Sequence, residues 1–453
     1  MLRNEKKIPI RQRKLKTLSS SYGSNKPKIS NNQIESHKEI LKDSDKYLNK
    51  LLKKLYFPKS LSNDYTKHLP NLTKSSSKLD IQLYCFLGLL IKNFINKWYY
   101  KLSDSPDFIN ELIQLISKIT KDLEKRLQDV NFGEMILDDF FIILNNHLSL
   151  YKYIQKNQDS MFLPIEPGDF HHGFDILDTH PGLNPQDPDS ESNYLRILSK
   201  NILRHLLPPE EQKSELVMEF MKSLISDLIL RIILEKLTKP YQIMEIISII
   251  CDLILKKEEQ NPPRDDKSSI MESLTNSLKT FINLISAPSN PQTKSSLDIS
   301  NLGIWKFLSN LFEIPGKSPI LYSLVSSASI ITSTTMINSS INNLISNITP
   351  KIINEDTICM ILQKFRNILF PQDDEMGPSR KEPNEEEFQL IKRGTKMKII
   401  QVLQKKGVWN LLNVDDDEID EFLKGLEDEH INKHLILRIL DMIIVKLIPE
   451  LQE

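Results

Sequence analysis

Apolar residues recur at helical spacing along most of the chain, and the densest run lies between residues 216 and 237. Its members are Leu216, Val217, Phe220, Met221, Leu224, Ile225, Leu228, Ile229, Ile232, Ile233 and Leu237. Water solvates a helix with so little polar surface poorly, so the pattern predicts a helix buried on nearly every side against protein or lipid. A preceding helix from Tyr194 ends at Pro208-Pro209, and Pro240 ends the second helix.

The same spacing predicts helices elsewhere, in residues 81–102, 243–255 and 352–370, and at the C-terminus. The last of these carries Leu435, Ile436, Ile439, Leu440, Ile443, Ile444 and Leu447. Glycine numbers only 12 in 453 residues, whereas strand-and-turn architectures normally need more. The sequence therefore predicts an all-α fold.

The N-terminal 78 residues are rich in Lys, Ser and Asn, which is typical of a solvated, disordered tail. Contact with anionic lipid headgroups is the alternative for this basic segment. Within it, KYLNKLLKKLYF forms an amphipathic helix that either lies at a membrane interface or packs on the domain. The candidate membrane-surface contacts are Arg11, Arg13, Lys14, Lys16, Lys50, Lys53 and Lys54.

Composition and charge limit the function, the compartment and the membrane association that the sequence predicts. Lys and Arg total 59 against 60 acidic residues, so no overall charge indicates nucleic-acid binding. Cys85, Cys251 and Cys359 lie far apart without a CxxC spacing, which predicts a reducing compartment. The N-terminus lacks an apolar signal segment, and the uncharged segment 318–350 is too rich in Ser, Thr and Asn to favour a membrane-spanning helix.

Candidate metal ligands cluster in GDFHHGFDILDTH: Asp169, His171, His172, Asp175, Asp178 and His180. Imidazole and carboxylate groups at this density could hold zinc or a harder metal. The surrounding Pro, Gly and Asp residues instead predict a polar surface loop, and we expect no metal site.

Two other polar features have structural interpretations. His434 lies beside an apolar helix face and is predicted to be satisfied by packing and hydrogen bonds. The acidic run from Asp415 to Glu418 is either solvated or caps the next helix. The chain has no phosphate-binding loop, nucleophile elbow or HExxH motif, so we expect no enzymatic activity and no catalytic residues.

Three segments carry a family resemblance. Trp98-Tyr99 with Phe108, then Tyr194-Leu195-Arg196, and then Leu206-Leu207-Pro208 before the long apolar helix resemble the PXA domain of one sorting-nexin subfamily. Near the C-terminus, Asn432-Lys433-His434-Leu435 and Ile448-Pro449-Glu450-Leu451 resemble the end of the sorting-nexin C-terminal domain.

The resemblance implies a multi-helix PXA domain packed against a C-terminal helical sorting-nexin domain. The predicted boundaries are a tail at 1–78, the PXA domain at 79–312, a small-residue connector at 313–351 and the C-terminal domain at 352–453, with a flexible linker at 372–387. Only about forty residues separate the two domains, too few for an intervening PX domain. We therefore expect no PX domain, no RGS domain and no membrane anchor. In this respect the chain resembles short fungal members of the family that are associated with nucleus–vacuole junctions.

The family implies a non-enzymatic lipid-binding protein, with possible lipid transfer, that is cytoplasmic and peripheral at ER–vacuole or endosomal membranes. A phospholipid or fatty acyl chain would occupy a cavity between the domains, and a membrane-anchored PXA/PX relative would be its partner. Candidate cavity residues are Phe220, Leu224, Leu228, Ile232, Leu321, Val325, Ile341, Leu344, Ile345, Leu440 and Ile444. The alternative is a helical interaction scaffold with a solid core, recruited by the same relative.

Overall fold

A computed structural model describes residues 42–57, 69–74, 76–157, 170–259, 302–323, 355–377, 381–405, 409 and 412–452. These residues form helices, turns and irregular connections, and no strand occurs among them. The prediction of an all-α fold is confirmed for this part of the chain. The chain divides into two units, Met1–Tyr47 and Leu48–Glu453, and the packing described below belongs to the second.

The longer helices are α1 (Asp45–Tyr56), α2 (Ser77–Leu90), α3 (Asp107–Asp129), α4 (Phe140–Lys156), α5 (Phe170–Leu177), α6 (Ser190–Leu206), α7 (Glu215–Ser223), α8 (Pro240–Glu259), α9 (Gly303–Leu311), α10 (Glu355–Leu369), α11 (Glu385–Lys405), α12 (Asp416–Lys424) and α13 (Glu429–Leu447). Three of them contain π-helical turns. Ile91–Asn96 extends α2 into Lys97–Tyr99, Met135–Asp139 joins Phe132–Glu134 to α4, and Leu224–Leu230 extends α7 into Arg231–Leu237. Pro209–Gln212, Ile314–Lys317 and the 3-10 helix Pro449–Gln452 are short connections.

Polar side chains fix where several helices begin. Ser76 caps α2 by accepting from two backbone N–H groups, and Ser214 accepts from the N–H of Val217 at the start of α7. Asp415 and Glu418 form a reciprocal capping box at α12. Both alternatives for that acidic run occur, since it caps the helix while Asp415, Asp416 and Asp417 are exposed to solvent.

The α7 helix is less buried than its sequence predicts. Met221, Leu230 and Leu234 face the interior, but Leu216 is 81% exposed and Ile229 is 38% exposed. A π-helical turn holds one more residue than an α-helical turn, so the segment Leu224–Leu230 rotates the following residues about the helix axis. The other apolar residues of the run are half-buried or buried, so protein covers this helix only in part. Burial of its remaining apolar surface against lipid stays a prediction.

One part of the core lies where α4, α8, α9, α12 and α13 meet. Leu148, Met244, Phe307, Phe312 and Leu423 are buried there in one cluster. Helix α9 approaches the start of α4 closely, and the backbone N–H of its first residue, Gly303, donates to Asp138 Oδ1 at 2.7 Å. A side chain at this glycine would meet the backbone oxygen of Asp138 and would lie 2.9 Å from Ile142 N.

We expect Gly303→Ala to lower the free energy of unfolding by about 1–3 kcal/mol, because a methyl group against rigid backbone forces α9 away from α4. Gly394→Ala is the matched control, since an added Cβ there meets nothing within 4 Å and the residue lies inside α11. Urea denaturation followed by circular dichroism measures both variants. Equal midpoints for the two variants would contradict the close approach.

The apolar face of α1 is buried, with Leu48, Leu51 and Leu52 inside. The Tyr56 ring also packs edge-on against Tyr84 of α2. Of the two alternatives for this amphipathic helix, the structure shows packing on the domain. Of the candidate membrane contacts, Lys50 and Lys54 are exposed and Lys53 is half-buried, whereas Arg11, Arg13, Lys14 and Lys16 lie outside the described residues.

The predicted linker at 372–387 is partly structured. Asp373 is buried beside Arg366, and the Asp374 carboxylate pairs with Lys54 and Lys92. Helix α11 begins at Glu385, so residues 385–387 at the end of the predicted linker are helical. Within the predicted flexible linker, the acidic side chains at 373–374 therefore contact α1, α2 and α10.

Candidate functional site

The segment predicted to be a polar surface loop contains helix α5 (Phe170–Leu177). Phe174 on this helix is fully buried and packs with Tyr151 and Ile154 of α4 and Ile431 of α13. The surface-loop prediction is therefore wrong for residues 170–177. Phe170 and Phe174 are four residues apart, which is a helical spacing. The prediction of a loop gave more weight to the neighbouring glycines and aspartates than to this spacing. Asp169 lies outside the described residues.

Polar residues of α5, of the turn after it and of the start of α6 face α13, and together they form what we call the α5–α13 interface. Its members from the earlier part of the chain are His171, Asp175, Asp178, Thr179, His180, Glu191 and Tyr194. Its members from the later part are Asp428, His430, Lys433, His434, Arg438 and Asp441. Five of the six candidate metal ligands lie on described residues, and four of these five belong to this interface.

One end of the interface is centred on Asp441. His180 Nε2 lies 3.1 Å from Asp441 Oδ2, and the Tyr194 hydroxyl donates to the other carboxylate oxygen. Burial together with the hydrogen bond to Asp441 raises the pKa of the Tyr194 hydroxyl well above its ordinary value. This tyrosine therefore stays a hydrogen-bond donor at physiological pH. Next to this group, Arg438 Nη2 donates to Asp178 Oδ1 at 2.7 Å.

The other end is centred on Asp175. Its Oδ1 atom lies 2.8 Å from His430 Nε2 and 3.0 Å from His434 Nε2. His434 is fully buried, and this burial lowers the pKa of its imidazole. As the sequence predicts, His434 is packed and hydrogen-bonded, since its ring contacts Phe174 and its Nδ1 atom lies 3.1 Å from the Asp178 carbonyl oxygen.

Sequence reasoning did not single out His430 or Asp428. The available signal was the spacing of His430 and His434, four residues apart on a predicted helix and thus on one face. Their partner Asp175 is 255 residues away from His430 along the chain, so no local pattern connects them.

The candidate cavity residues lie in different environments. Phe220 packs in an aromatic cluster with Trp98 and Phe108, whereas Leu321 packs against the core around Phe307. Leu440 joins Leu195, Leu230, Leu234 and Leu437, and Ile444 is buried on α13. Leu224, Leu228 and Ile232 are half-buried on α7. Val325, Ile341, Leu344 and Ile345 lie outside the described residues.

Two helices carry exposed apolar stripes that the sequence analysis did not separate from core faces. The α8 stripe consists of Ile246, Ile249 and Ile250, and the α10 stripe consists of Ile361, Phe365 and Ile368. Spacings of i, i+3, i+4 and of i, i+4, i+7 place each set on one side of its helix. Exposure reaches 50% at Ile250 and 70% at Ile368. Both helices therefore have a buried apolar side and an exposed apolar side.

Comparison with known proteins finds a family match for part of the chain. Residues 76–250 match the family model of the PXA domain, the stretch from α2 through most of α8. These residues are similar to a PXA domain. Helices α5 and α6 lie within the residues that match the PXA domain, and α13 lies outside them. The α5–α13 interface therefore joins the PXA domain to the C-terminal part of the chain.

Relatives agree with this assignment. An uncharacterized protein of Saccharomyces cerevisiae is 22% identical over 441 residues, covering 93% of this chain and 88% of that protein. Sorting nexin-14 of Danio rerio is 22% identical over 226 residues, and PXA domain protein 1 of Schizosaccharomyces pombe is 24% identical over 144 residues. These matches cover 49% and 31% of this chain but only 22% and 28% of those proteins. No solved structure matches the chain.

The PXA domain and the sorting-nexin relatives together support a role in membrane trafficking. Among the described residues, no helix combines the length and apolar character that crossing a membrane requires. Cys85, Cys251 and Cys359 are buried free thiols. The resemblance of the last hundred residues to the sorting-nexin C-terminal domain stays a prediction.

Proposed function

We propose that this protein binds lipid in membrane trafficking and catalyses no reaction. A phospholipid or fatty acyl chain is the ligand, and the protein acts peripherally at endosomal or ER–vacuole membranes. The sorting-nexin relatives support the endosomal setting. A membrane-anchored PXA/PX relative is the proposed partner that brings the protein to its membrane, and lipid transfer between membranes is a further part of the proposal.

The exposed stripes on α8 and α10 carry this proposal. Each half-exposed isoleucine or phenylalanine forgoes about 1 kcal/mol of burial free energy, so three on one helix side are unfavourable in water. Contiguous exposed apolar residues of this kind mark surfaces that bind another apolar body. The side chains are aliphatic or aromatic and offer no hydrogen-bonding group, which suits acyl chains.

We expect the purified full-length protein to retain lipid and to co-sediment with phosphatidylcholine–phosphatidylserine vesicles. The double variant Ile249→Asp/Ile250→Asp should reduce vesicle binding at least about tenfold, because placing two carboxylates against acyl chains costs more than the 1.4 kcal/mol that tenfold represents. Phe365→Asp/Ile368→Asp makes the same test on α10. Lipid extraction with mass spectrometry and vesicle co-sedimentation are the measurements.

Ile197→Asp is the matched control, because Ile197 is 62% exposed on α6 and belongs to neither stripe. This control should bind vesicles as the unmodified protein does. A folded protein that is free of lipid and ignores vesicles would overturn the proposal. If the stripe variants then lose binding to a membrane-anchored relative instead, the stripes are protein-binding surfaces and the scaffold alternative holds.

A further inference from the structure

Two histidines and one aspartate meet at the Asp175 end of the α5–α13 interface. His430 and His434 project from the same face of α13, and Asp175 approaches both from α5. One ligand atom from each residue, two imidazole nitrogens and one carboxylate oxygen, lies within 4.8 Å of the other two. Tetrahedral zinc with these donors separates neighbouring ligand atoms by ~3.3 Å. The distances of 2.8 and 3.0 Å from Asp175 Oδ1 to the two nitrogens are slightly shorter than this, and the nitrogens, at most 4.8 Å apart, would move toward each other to bind the ion.

The hydrogen bonding of His434 fixes which of its nitrogens carries the proton. Nδ1 lies 3.1 Å from the backbone carbonyl oxygen of Asp178, and a carbonyl oxygen can only accept. The neutral ring therefore carries its hydrogen on Nδ1 and has a lone pair on Nε2. That lone pair points at Asp175 Oδ1, another acceptor, at 3.0 Å. Two acceptors at this distance repel unless a proton or a metal ion lies between them.

His180 provides an internal comparison, because it also pairs with an aspartate in this interface. Its Nδ1 atom accepts from the backbone N–H of Gly182 at 3.0 Å, so the neutral ring carries its hydrogen on Nε2. Nε2 then donates to Asp441, and every atom has a complementary partner. The two histidines thus have opposite tautomers, and only His434 turns a lone pair toward its aspartate.

A proton or a metal ion between His434 Nε2 and Asp175 Oδ1 would remove the repulsion, and the nearby Nε2 atom of His430 adds a third donor that a metal ion can use. Histidine ligands of metals usually donate their other ring N–H to a backbone carbonyl or a carboxylate, which is the bond that His434 makes. His430 is one-third exposed, so it gives an ion and a completing water molecule access from solvent.

We propose that Asp175, His430 and His434 bind a zinc ion, with Nε2 of each histidine and a carboxylate oxygen as ligands. Two imidazoles and one carboxylate suit zinc, and they leave a fourth position for water. Because Asp175 belongs to the PXA domain and the histidines to α13, the ion fastens these two parts of the chain together. Zinc would then stabilise the folded protein in proportion to its affinity.

The test uses full-length protein freed of metal by a chelator and titrated with zinc chloride against a chromophoric competitor. We expect one zinc ion per chain and a higher melting temperature with zinc. Co²⁺ in the same position should show the intense visible absorption of tetrahedral cobalt. His430→Ala should weaken zinc binding at least about tenfold, or 1.4 kcal/mol, and abolish the rise in melting temperature. This variant should fold, because His430 is partly exposed.

His205→Ala and Asp441→Asn are controls, because His205 is an exposed histidine on α6 and Asp441 belongs to the other end of the interface. Both should bind zinc as the unmodified protein does. Unchanged zinc affinity in His430→Ala, or an equal loss in His205→Ala, would overturn the proposal, because the ion would then bind elsewhere. Zinc binding is measured without lipid, so its failure leaves the proposed function standing.

Discussion

Phe174→Ala should lower the free energy of unfolding by about 4 kcal/mol, the largest effect expected of any single substitution considered for this protein. The ring is fully buried among side chains of α4 and α13. It also contacts the rings of His147 and His434, with centroids 5.3 and 5.6 Å away. Removing it leaves a cavity where α4, α5 and α13 meet.

Phe365→Ala is the matched control, because this phenylalanine lies on the exposed α10 stripe and is 46% exposed. Its loss should change stability by less than about 1 kcal/mol. Urea denaturation followed by circular dichroism compares the two variants. Similar losses in both would mean that α5 does not pack into the interior, and the α5–α13 interface would then be wrong.

Acidification should destabilise the protein through His147, by about 3 kcal/mol between pH 6.5 and pH 4. The pKa of this imidazole is lowered from 6.5 to about 4, chiefly by burial and then by the neighbouring His434. In that pH range the unfolded chain binds a proton at this histidine and the folded protein does not, so stability falls as the pH falls. The contribution is complete above pH 6.5 and lost below pH 4.

Two atoms explain why the folded state rejects that proton. The ring N–H of His147 donates to the Gly425 backbone, while its Nε2 atom is buried without a hydrogen-bond partner among the described residues. A proton on Nε2 would be a buried donor with nothing to accept it.

His147→Gln removes the titrating group but keeps a side chain that can donate to Gly425. The difference in unfolding free energy between pH 7 and pH 4 should therefore be about 3 kcal/mol smaller in this variant than in the unmodified protein. His205→Gln removes an exposed histidine and should leave the pH dependence unchanged. Parallel pH profiles for the unmodified protein and His147→Gln would contradict the burial of Nε2.

Local sequence patterns predicted most of the helices and several of their ends. Apolar residues at every third or fourth position mark a helix wherever it packs, and proline breaks it wherever it occurs. The break at Pro208-Pro209, the start of α8 at Pro240 and the capping box of α12 all follow from residues a few positions apart. The match to the PXA family extends the same local information over residues 76–250.

Which side of a helix is buried was predicted less well. The apolar surface of α7 and the stripes on α8 and α10 have the same residue types as core faces, and composition alone does not distinguish them. A π-helical turn in α7 rotates the following residues, and neighbouring helices decide which of them are covered. The candidate cavity residues were chosen from such faces, and the described ones lie in separate clusters.

By itself, the sequence determined an all-helical chain with a PXA-like first part, because periodicity and proline act over a few residues. The sequence also contains every polar residue of the α5–α13 interface, but no local pattern in it indicates that these residues contact one another. Only the tertiary structure brought Asp175 to His430 and His434 and gave His180 and His434 opposite tautomers. Such pairings depend on which backbone groups surround each ring after folding, and helices 255 residues apart meet only through the packing of the whole domain.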